Sequence, residues 1–153
     1  MIIGKTDKGV CWLGFMVDGY KGNGFDRMKI HFKVAKFTED QEMADEYGFS
    51  LIEAWEKGEE NSYPLDIQGT AFQHTVWSAL RQIKRGEVNT YSGIAQKIGN
   101  KNAVRAVGTA IGENPISLII PCHRVIQKSG GLGNYGWGVA LKTDMLKAEG
   151  INA

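Results

Sequence analysis

The sequence predicts an α/β protein: a small N-terminal domain of antiparallel sheet plus helix, then a helical, helix-turn-helix-like C-terminal domain carrying an active cysteine. Val10–Val17 and Met28–Val34 read as strands, the second alternating Met28, Ile30, Phe32 and Val34 on one face, with a glycine-rich turn over 18–24 between them. From Thr70 onward, apolar residues recur at helical spacing in short segments punctuated by glycine. Charge divides in the same way: residues 1–66 hold 8 Lys and Arg against 13 Asp and Glu, whereas residues 67–153 hold 10 against 4. The boundary is therefore expected near residue 66, with an acidic support domain at 1–66 and a basic domain suited to a polyanion at 67–153.

At 153 residues the chain can bury a core without disulfides or metals. Its two cysteines, Cys11 and Cys122, are far apart and form no Cys-x-x-Cys pair, so no disulfide framework or zinc ribbon is expected. No run approaches membrane-spanning length and no leader-like segment opens the chain, which predicts a soluble, cytoplasmic protein.

In the first half, His31 is expected on the polar face of its strand, solvated. A helix follows from Thr38 to about Lys57, stopped by Gly58, with Met43, Tyr47, Leu51, Ala54 and Trp55 as its apolar stripe. Residues 59–62 read as a linker. Thr70 caps the next helix, whose buried face is expected to hold Phe72, Val76 or Trp77, Leu80 and Ile83, with His74 outward and Gly86 as the stop. Ser92–Ile98 and Asn102–Ile111, joined by Gly99-Asn100-Lys101, give the helix-turn-helix layout. The second of these helices has little bulk beyond Arg105. Small residues let a helix approach another surface closely, which fits either a DNA groove with Arg105 projecting into it or tight helix–helix packing.

Asn114-Pro115 ends the helical region, and Ile116–Ile120 reads as a buried strand leading to Pro121-Cys122-His123-Arg124-Val125. Burying a thiol, an imidazole and a guanidinium together is costly unless they are used. His123 and Arg124 could activate the thiol as base and as positive environment. In an extended chain, however, neighbouring side chains diverge, so His123 is expected to reach Cys122 only through a turn or a water. Five glycines within 130–138 make a loop whose backbone can approach a ligand, with Tyr135 and Trp137 as flat apolar surface. The last helix, Val139–Glu149, is expected to bury Leu141, Met145 and Leu146, with Glu149 able to orient an imidazole.

Together these stretches resemble the O6-alkylguanine-DNA alkyltransferase family (methylated-DNA–protein-cysteine methyltransferases) over Pro64–Gly150. The matching pieces are Gly69-Thr70-x-Phe72-Gln73-x-x-Val76-Trp77, Tyr91, Arg105-Ala106-Val107-Gly108, Asn114-Pro115, Pro121-Cys122-His123-Arg124-Val125, Gly133-x-Tyr135 and Glu149. The resemblance implies a winged helix-turn-helix-like domain at 67–153 that binds double-stranded DNA containing O6-alkylguanine, as a monomer and without a cofactor. It implies that the base is flipped and that Cys122 takes its alkyl group irreversibly, acting once. Cys122, His123, Glu149, Asn114 and Tyr91 would be catalytic: His123 deprotonating Cys122 through water, Glu149 polarising His123, Asn114 supporting the site, Tyr91 donating to the departing guanine. Arg105 would fill the gap left in the duplex, with Ala103, Ala106 and Gly108 beside it on the DNA. Val125, Tyr135, Gly136 and Trp137 would line the substrate pocket.

The N-terminal half has only Cys11 and His31 where some relatives bind zinc through two cysteines and two histidines, so no metal is expected. Gly136-Trp137-Gly138 replaces Ser-Gly-Gly, and the bulk of Trp137 should narrow the pocket. Two other readings compete: an alkyltransferase-like protein that marks the lesion without repair, which usually lacks the cysteine, and a cysteine hydrolase, for which no oxyanion hole is identifiable.

Overall fold

The computed structural model describes residues 1–17 and 23–152. The chain forms two compact units, Met1–Gln68 with Pro115–Ser117, and Gly69–Asn114 with Leu118–Ala153. In the first, β1 (Ile2–Thr6) pairs antiparallel with β2 (Gly9–Gly14), Ile2 opposite Gly14 and Thr6 opposite Gly9. β2 is wholly buried. Its flanks are closed by Val10 N–H donating to Pro64 O, and by Leu13 exchanging hydrogen bonds with Pro115 and Ser117.

The hairpin expected between 10–17 and 28–34 is therefore corrected. β2 has the N-terminal strand as its partner, and residues from Gly24 to His31 form a helix, α1. The expected turn residues 18–22 lie outside the described residues. Asn23 caps α1 by accepting from the N–H groups of Phe25 and Asp26, and the helix carries Asp26 early and Lys29 late, as its dipole favours. The period-two reading misled because Met28 is 6% exposed but Ile30 is 62% exposed: only one of the alternating residues is core. His31 is half-buried, not solvated, its Nε2 3.2 Å from Gln68 O and its ring against Trp12 and Phe32.

α2 (Gln41–Lys57) is capped by Asp40, not Thr38, since the Asp40 carboxylate accepts from Met43 N–H. Gly58 closes it in the left-handed region at φ 73°, a conformation that suits glycine. Leu51 and Ala54 are buried, with Met43, Tyr47 and Trp55 half-buried beside them. The expected linker is a 3₁₀ turn, Glu60–Ser62, with Glu60 buried.

In the second unit, α3 (Ala71–Leu80) opens on a capping box in which Thr70 accepts from Gln73 N–H and the Gln73 side chain accepts from Thr70 N–H. Val76, Trp77 and Leu80 are fully buried, and Trp77 Nε1 donates to Ala110 O. Gly69 lies so close to the Trp77 ring that a Cβ there would be 2.5 Å from it. Phe72 is 37% exposed, so it does not belong to the buried face. The helix also stops at Leu80, before Gly86. α4 (Tyr91–Lys97) and α5 (Val104–Gly112) follow, with His74 exposed on α3. β3 (Asn89–Thr90) and β4 (Val125–Ile126) form a short parallel ladder, and α6 (Val139–Ala148) ends the unit.

Ile116–Ile120 is not a strand. It is a run of turns with a single bridge from Ile116 to Leu13, although every residue in it is buried. Apolar β-branched composition signalled burial there, and burial does not require a ladder. Leu118 takes φ 73°, unusual for a residue with a Cβ, so this turn is held against backbone preference. On α6, Leu141 is half-buried, while Lys142 is fully buried in its place. Among the described residues, no helix is long and apolar enough to cross a membrane, and no group of three metal-ligating side chains comes together.

Candidate active site

Cys122, His123 and Arg124 form one 3₁₀ turn. Cys122 N–H donates to Ile120 O at 2.8 Å and Arg124 N–H to Pro121 O at 3.0 Å. The extended geometry that would have separated the thiol and the imidazole is therefore replaced by a turn. Asn114, 5% exposed, donates from Nδ2 to Ile120 O at 2.8 Å, tying the end of α5 to the turn.

His123 is fully buried, and its Nε2 lies 2.8 Å from Glu149 Oε1. Arg124, 1% exposed, grips the same carboxylate with Nε on Oε2 at 2.9 Å and Nη2 on Oε1 at 2.8 Å, while Nη1 donates to Ile83 O at 2.8 Å. Burial alone would raise the Glu149 carboxyl, but the hydrogen bonds and charges of His123 and Arg124 outweigh it and bring its pKa to about 2. Burial pushes the His123 imidazole below its ordinary value despite Glu149, so it is neutral at pH 7. An ionised carboxylate only accepts, which places the imidazole proton on Nε2 and leaves Nδ1 as a lone pair. That Nδ1 is buried and has no hydrogen-bond partner.

Burial likewise raises the Cys122 thiol, against hydrogen bonds from Asn114 and Tyr135 and the charge of Lys142. The resting sulfur is thus a thiol, with groups that favour its ionised form around it. Tyr91, half-buried at the start of α4, is raised by burial and by Cys122. Its hydroxyl approaches the glycine loop at Gly133, and its ring faces Gly108 of α5.

Lys142 was not anticipated. It is 0% exposed, and its ammonium donates to Val125 O and Leu132 O, both at 2.6 Å. It thereby joins the residue after the Cys122 turn to the glycine loop, and burial lowers its pKa. The signal was present in the sequence: Lys142 stands three, four and seven residues before Met145, Leu146 and Glu149, hence on their face of α6.

Of the other expected residues, Val125 is fully buried, Trp137 is buried, and Tyr135 and Gly136 are half-buried. Arg105 and Ala106 are exposed on α5, with Ala103 and Gly108 half-buried. Asn114, Cys122, His123 and Glu149 converge, whereas Arg105 stands on the outer surface of the same unit. Arg124 differs from its expected part, since its guanidinium is committed to Glu149.

Residues 71–151 match the family model for the 6-O-methylguanine DNA methyltransferase DNA-binding domain. A methylated-DNA–protein-cysteine methyltransferase of Methanosarcina acetivorans is 42% identical over 136 residues, covering 87% of this chain and 86% of the relative. The chain belongs to the 6-O-methylguanine DNA methyltransferase family. The regulatory protein Ada of Salmonella typhimurium is 52% identical over 88 residues, 58% of this chain but only 25% of that relative's length. A solved structure of Mycobacterium tuberculosis OGT in complex with DNA aligns at TM-score 0.63 and 44% identity, covering 69% of this chain and 68% of that one. A methylated-DNA–protein-cysteine methyltransferase of Haemophilus influenzae is 50% identical over 91 residues, 60% of this chain and 51% of that relative.

Proposed function

We propose that this family member is a DNA-repair protein of the cytoplasm that takes the alkyl group, chiefly methyl, from O6-alkylguanine in double-stranded DNA onto Cys122. The observation that carries this reading is the turn holding Cys122 beside a neutral His123, whose Nε2 is locked to ionised Glu149 and whose Nδ1 is left as a bare base. The Cys122 proton passes through water to His123 Nδ1. The thiolate attacks the alkyl carbon in line, the new S–C bond forming as the C–O6 bond breaks. Guanine leaves as an anion to which the Tyr91 hydroxyl donates a hydrogen bond, offsetting the developing charge; the proton taken from Cys122 stays on His123 until it returns to solvent, and the released guanine takes up a proton from water. The product is a thioether, a poor leaving group, so the protein acts once.

A target atom inside a duplex has to be exposed by flipping its base. In this reading residues 67–153 act as a winged helix-turn-helix-like DNA-binding domain in which α4 and α5 meet the duplex. The small residues Ala103, Ala106 and Gly108 allow close approach, and Arg105 fills the gap. Val125, Tyr135, Gly136 and Trp137 wall the pocket, with Trp137 limiting the size of the alkyl group. Residues 1–66 are the support domain. The DNA complex of the OGT relative and the +6 balance of residues 67–153 support a duplex partner.

The test is stoichiometric. Incubation with duplex DNA containing O6-methylguanine is expected to add one methyl per protein, on the peptide containing Cys122, and no more with time. Unmodified protein retained on the lesion would instead favour a lesion binder. Repeated turnover would refute the single-use reading.

A further inference from the structure

Tyr135 has a ring held among fixed groups and a hydroxyl facing two sulfurs. The ring lies 6.0 Å from Lys142 Nζ, and Lys142 also fixes the loop through Leu132 O. The Tyr135 hydroxyl donates to Met145 Sδ at 3.8 Å, and it also hydrogen-bonds Cys122. Met145 is 6% exposed and Cys122 7% exposed, so water does not compete freely for either sulfur.

A phenol has one proton to give. A thioether and a thiol are both weak acceptors, whereas a thiolate is a strong, charged one. The preference of the hydroxyl between the two sulfurs therefore changes with the state of Cys122: balanced when it is a thiol, strongly toward Cys122 when it ionises, and balanced again once it is alkylated. Asn114 supplies the other hydrogen bond on this sulfur, and the charge of Lys142 acts on it from α6. The remaining groups around it have other commitments. Glu149 is gripped by His123 and Arg124, and the Tyr91 hydroxyl lies toward Gly133.

We infer that Tyr135 is a positioning residue whose hydroxyl is shared between Met145 and Cys122 at rest and turns onto Cys122 as the thiolate forms. It deepens the reading of Cys122 as the nucleophile and rests on it. It also gives the loop tyrosine a polar task distinct from lining a pocket.

The test reads the ionisation of Cys122 without DNA. Thiolate ultraviolet absorbance is titrated against pH as a difference from the Cys122→Ala variant, in the full chain. Tyr135→Phe keeps the ring and is expected to raise the midpoint by about one pH unit, so that roughly tenfold less thiolate is present at neutral pH. Met145→Leu, which removes the competing acceptor, is expected to lower the midpoint in the parent chain and to have no effect in the Tyr135→Phe background. An unchanged midpoint in Tyr135→Phe would overturn the inference, as would a Met145→Leu shift of equal size in both backgrounds. Should Tyr135→Phe not fold, the Met145→Leu shift decides alone: a lowered midpoint supports sharing and an unchanged one refutes it. Methyl transfer from DNA is measured separately, so loss of that activity with these shifts intact would count against the proposed function and not against the hydroxyl.

Discussion

Cys11 and Cys122 are equally hidden, each 7% exposed, and burial raises the pKa of both. Their surroundings are opposite. Cys11 lies in β2, where the neighbouring charge is Asp66, which raises the thiol further. Cys122 lies in a turn where Asn114, Tyr135 and Lys142 all favour the thiolate, and the adjacent His123 has a buried Nδ1 without a hydrogen-bond partner, the base of the proposed transfer. The lesson is that burial does not distinguish a structural cysteine from a nucleophile; the groups able to take its proton and bear its charge do. The surrounding units differ in the same sense. Among the described residues, the first unit buries one charged side chain, Glu60, while the second buries His123, Arg124, Lys142 and Glu149.

The most direct way to break this comparison is to remove each thiol in turn. Cys122→Ala is expected to abolish methyl transfer from O6-methylguanine DNA, read as intact mass, whereas Cys11→Ser should leave the transfer rate within about twofold, since Cys11 belongs to the other unit and is none of the reacting groups. Transfer surviving in Cys122→Ala, or lost in a folded Cys11→Ser, would dissolve the distinction.

The next effect concerns the carboxylate that sets the His123 tautomer. Glu149→Gln leaves Arg124 buried without its counter-charge and is expected to destabilise the fold by about 3–5 kcal/mol in chemical denaturation. Methyl transfer by the fraction still folded should fall by on the order of a hundredfold, as expected when a general base loses its orientation. The same carboxylate makes a pH prediction. Its folded pKa, about 2, lies below the ordinary 4.5, so its stabilisation is complete above about pH 4.5 and is lost as pH falls through 2. Acid titration of unfolding free energy should show a loss of about 3 kcal/mol across that window, absent in Glu149→Gln.

Lys142 sharpens the comparison from the other side, because its ammonium has two carbonyls but no carboxylate among its hydrogen-bond partners. Lys142→Met gives up those bonds but also relieves the cost of a buried cation, so global stability should change by no more than about 1–2 kcal/mol. The loop loses its tether to Val125 all the same. Amide exchange over 127–133 should quicken, and methyl transfer should fall by about tenfold, a cost expected when reacting groups are held less well.

What was legible in the sequence follows from how local each determinant is. Thr70 with Gln73, and Gly58, act within a turn of chain, so the α3 start and the α2 end could be read directly. Cys122, His123 and Glu149 stand out from residue chemistry alone and Asn114 through the resemblance, and the four meet in the structure. The segment after Asn23 was misread because alternation of four apolar residues imitates a strand, while the partner edge of β2 was taken by Ile2–Thr6, which carries no strong pattern. Ile116–Ile120 reads as a strand because a buried turn and a buried strand share a composition; what sets it apart is backbone geometry, Leu118 at φ 73° included, which composition does not carry. The grip of Arg124 on Glu149 spans 25 residues and the clamp of Lys142 spans 17, distances over which no local pattern operates.

The smallest effect asks why DNA should reach one thiol and not the other. Cys11 lies in the acidic half and Cys122 in the basic half. Arg105 is the exposed cation of α5, so Arg105→Ala is the sharpest probe of that difference. If Arg105 meets a phosphate, the variant should bind any duplex several-fold more weakly, with the slope of log affinity against log salt reduced by about 1. If it occupies the gap left by the flipped base, undamaged duplex should be bound with the parent salt slope, while methyl transfer from a duplex falls by about tenfold and transfer from the free modified base is unchanged. The proposed function requires the second outcome. Parent-level transfer from duplex in Arg105→Ala would leave the arginine as an ordinary surface charge and shift the guidance of DNA toward Cys122 onto the other cations of residues 67–153.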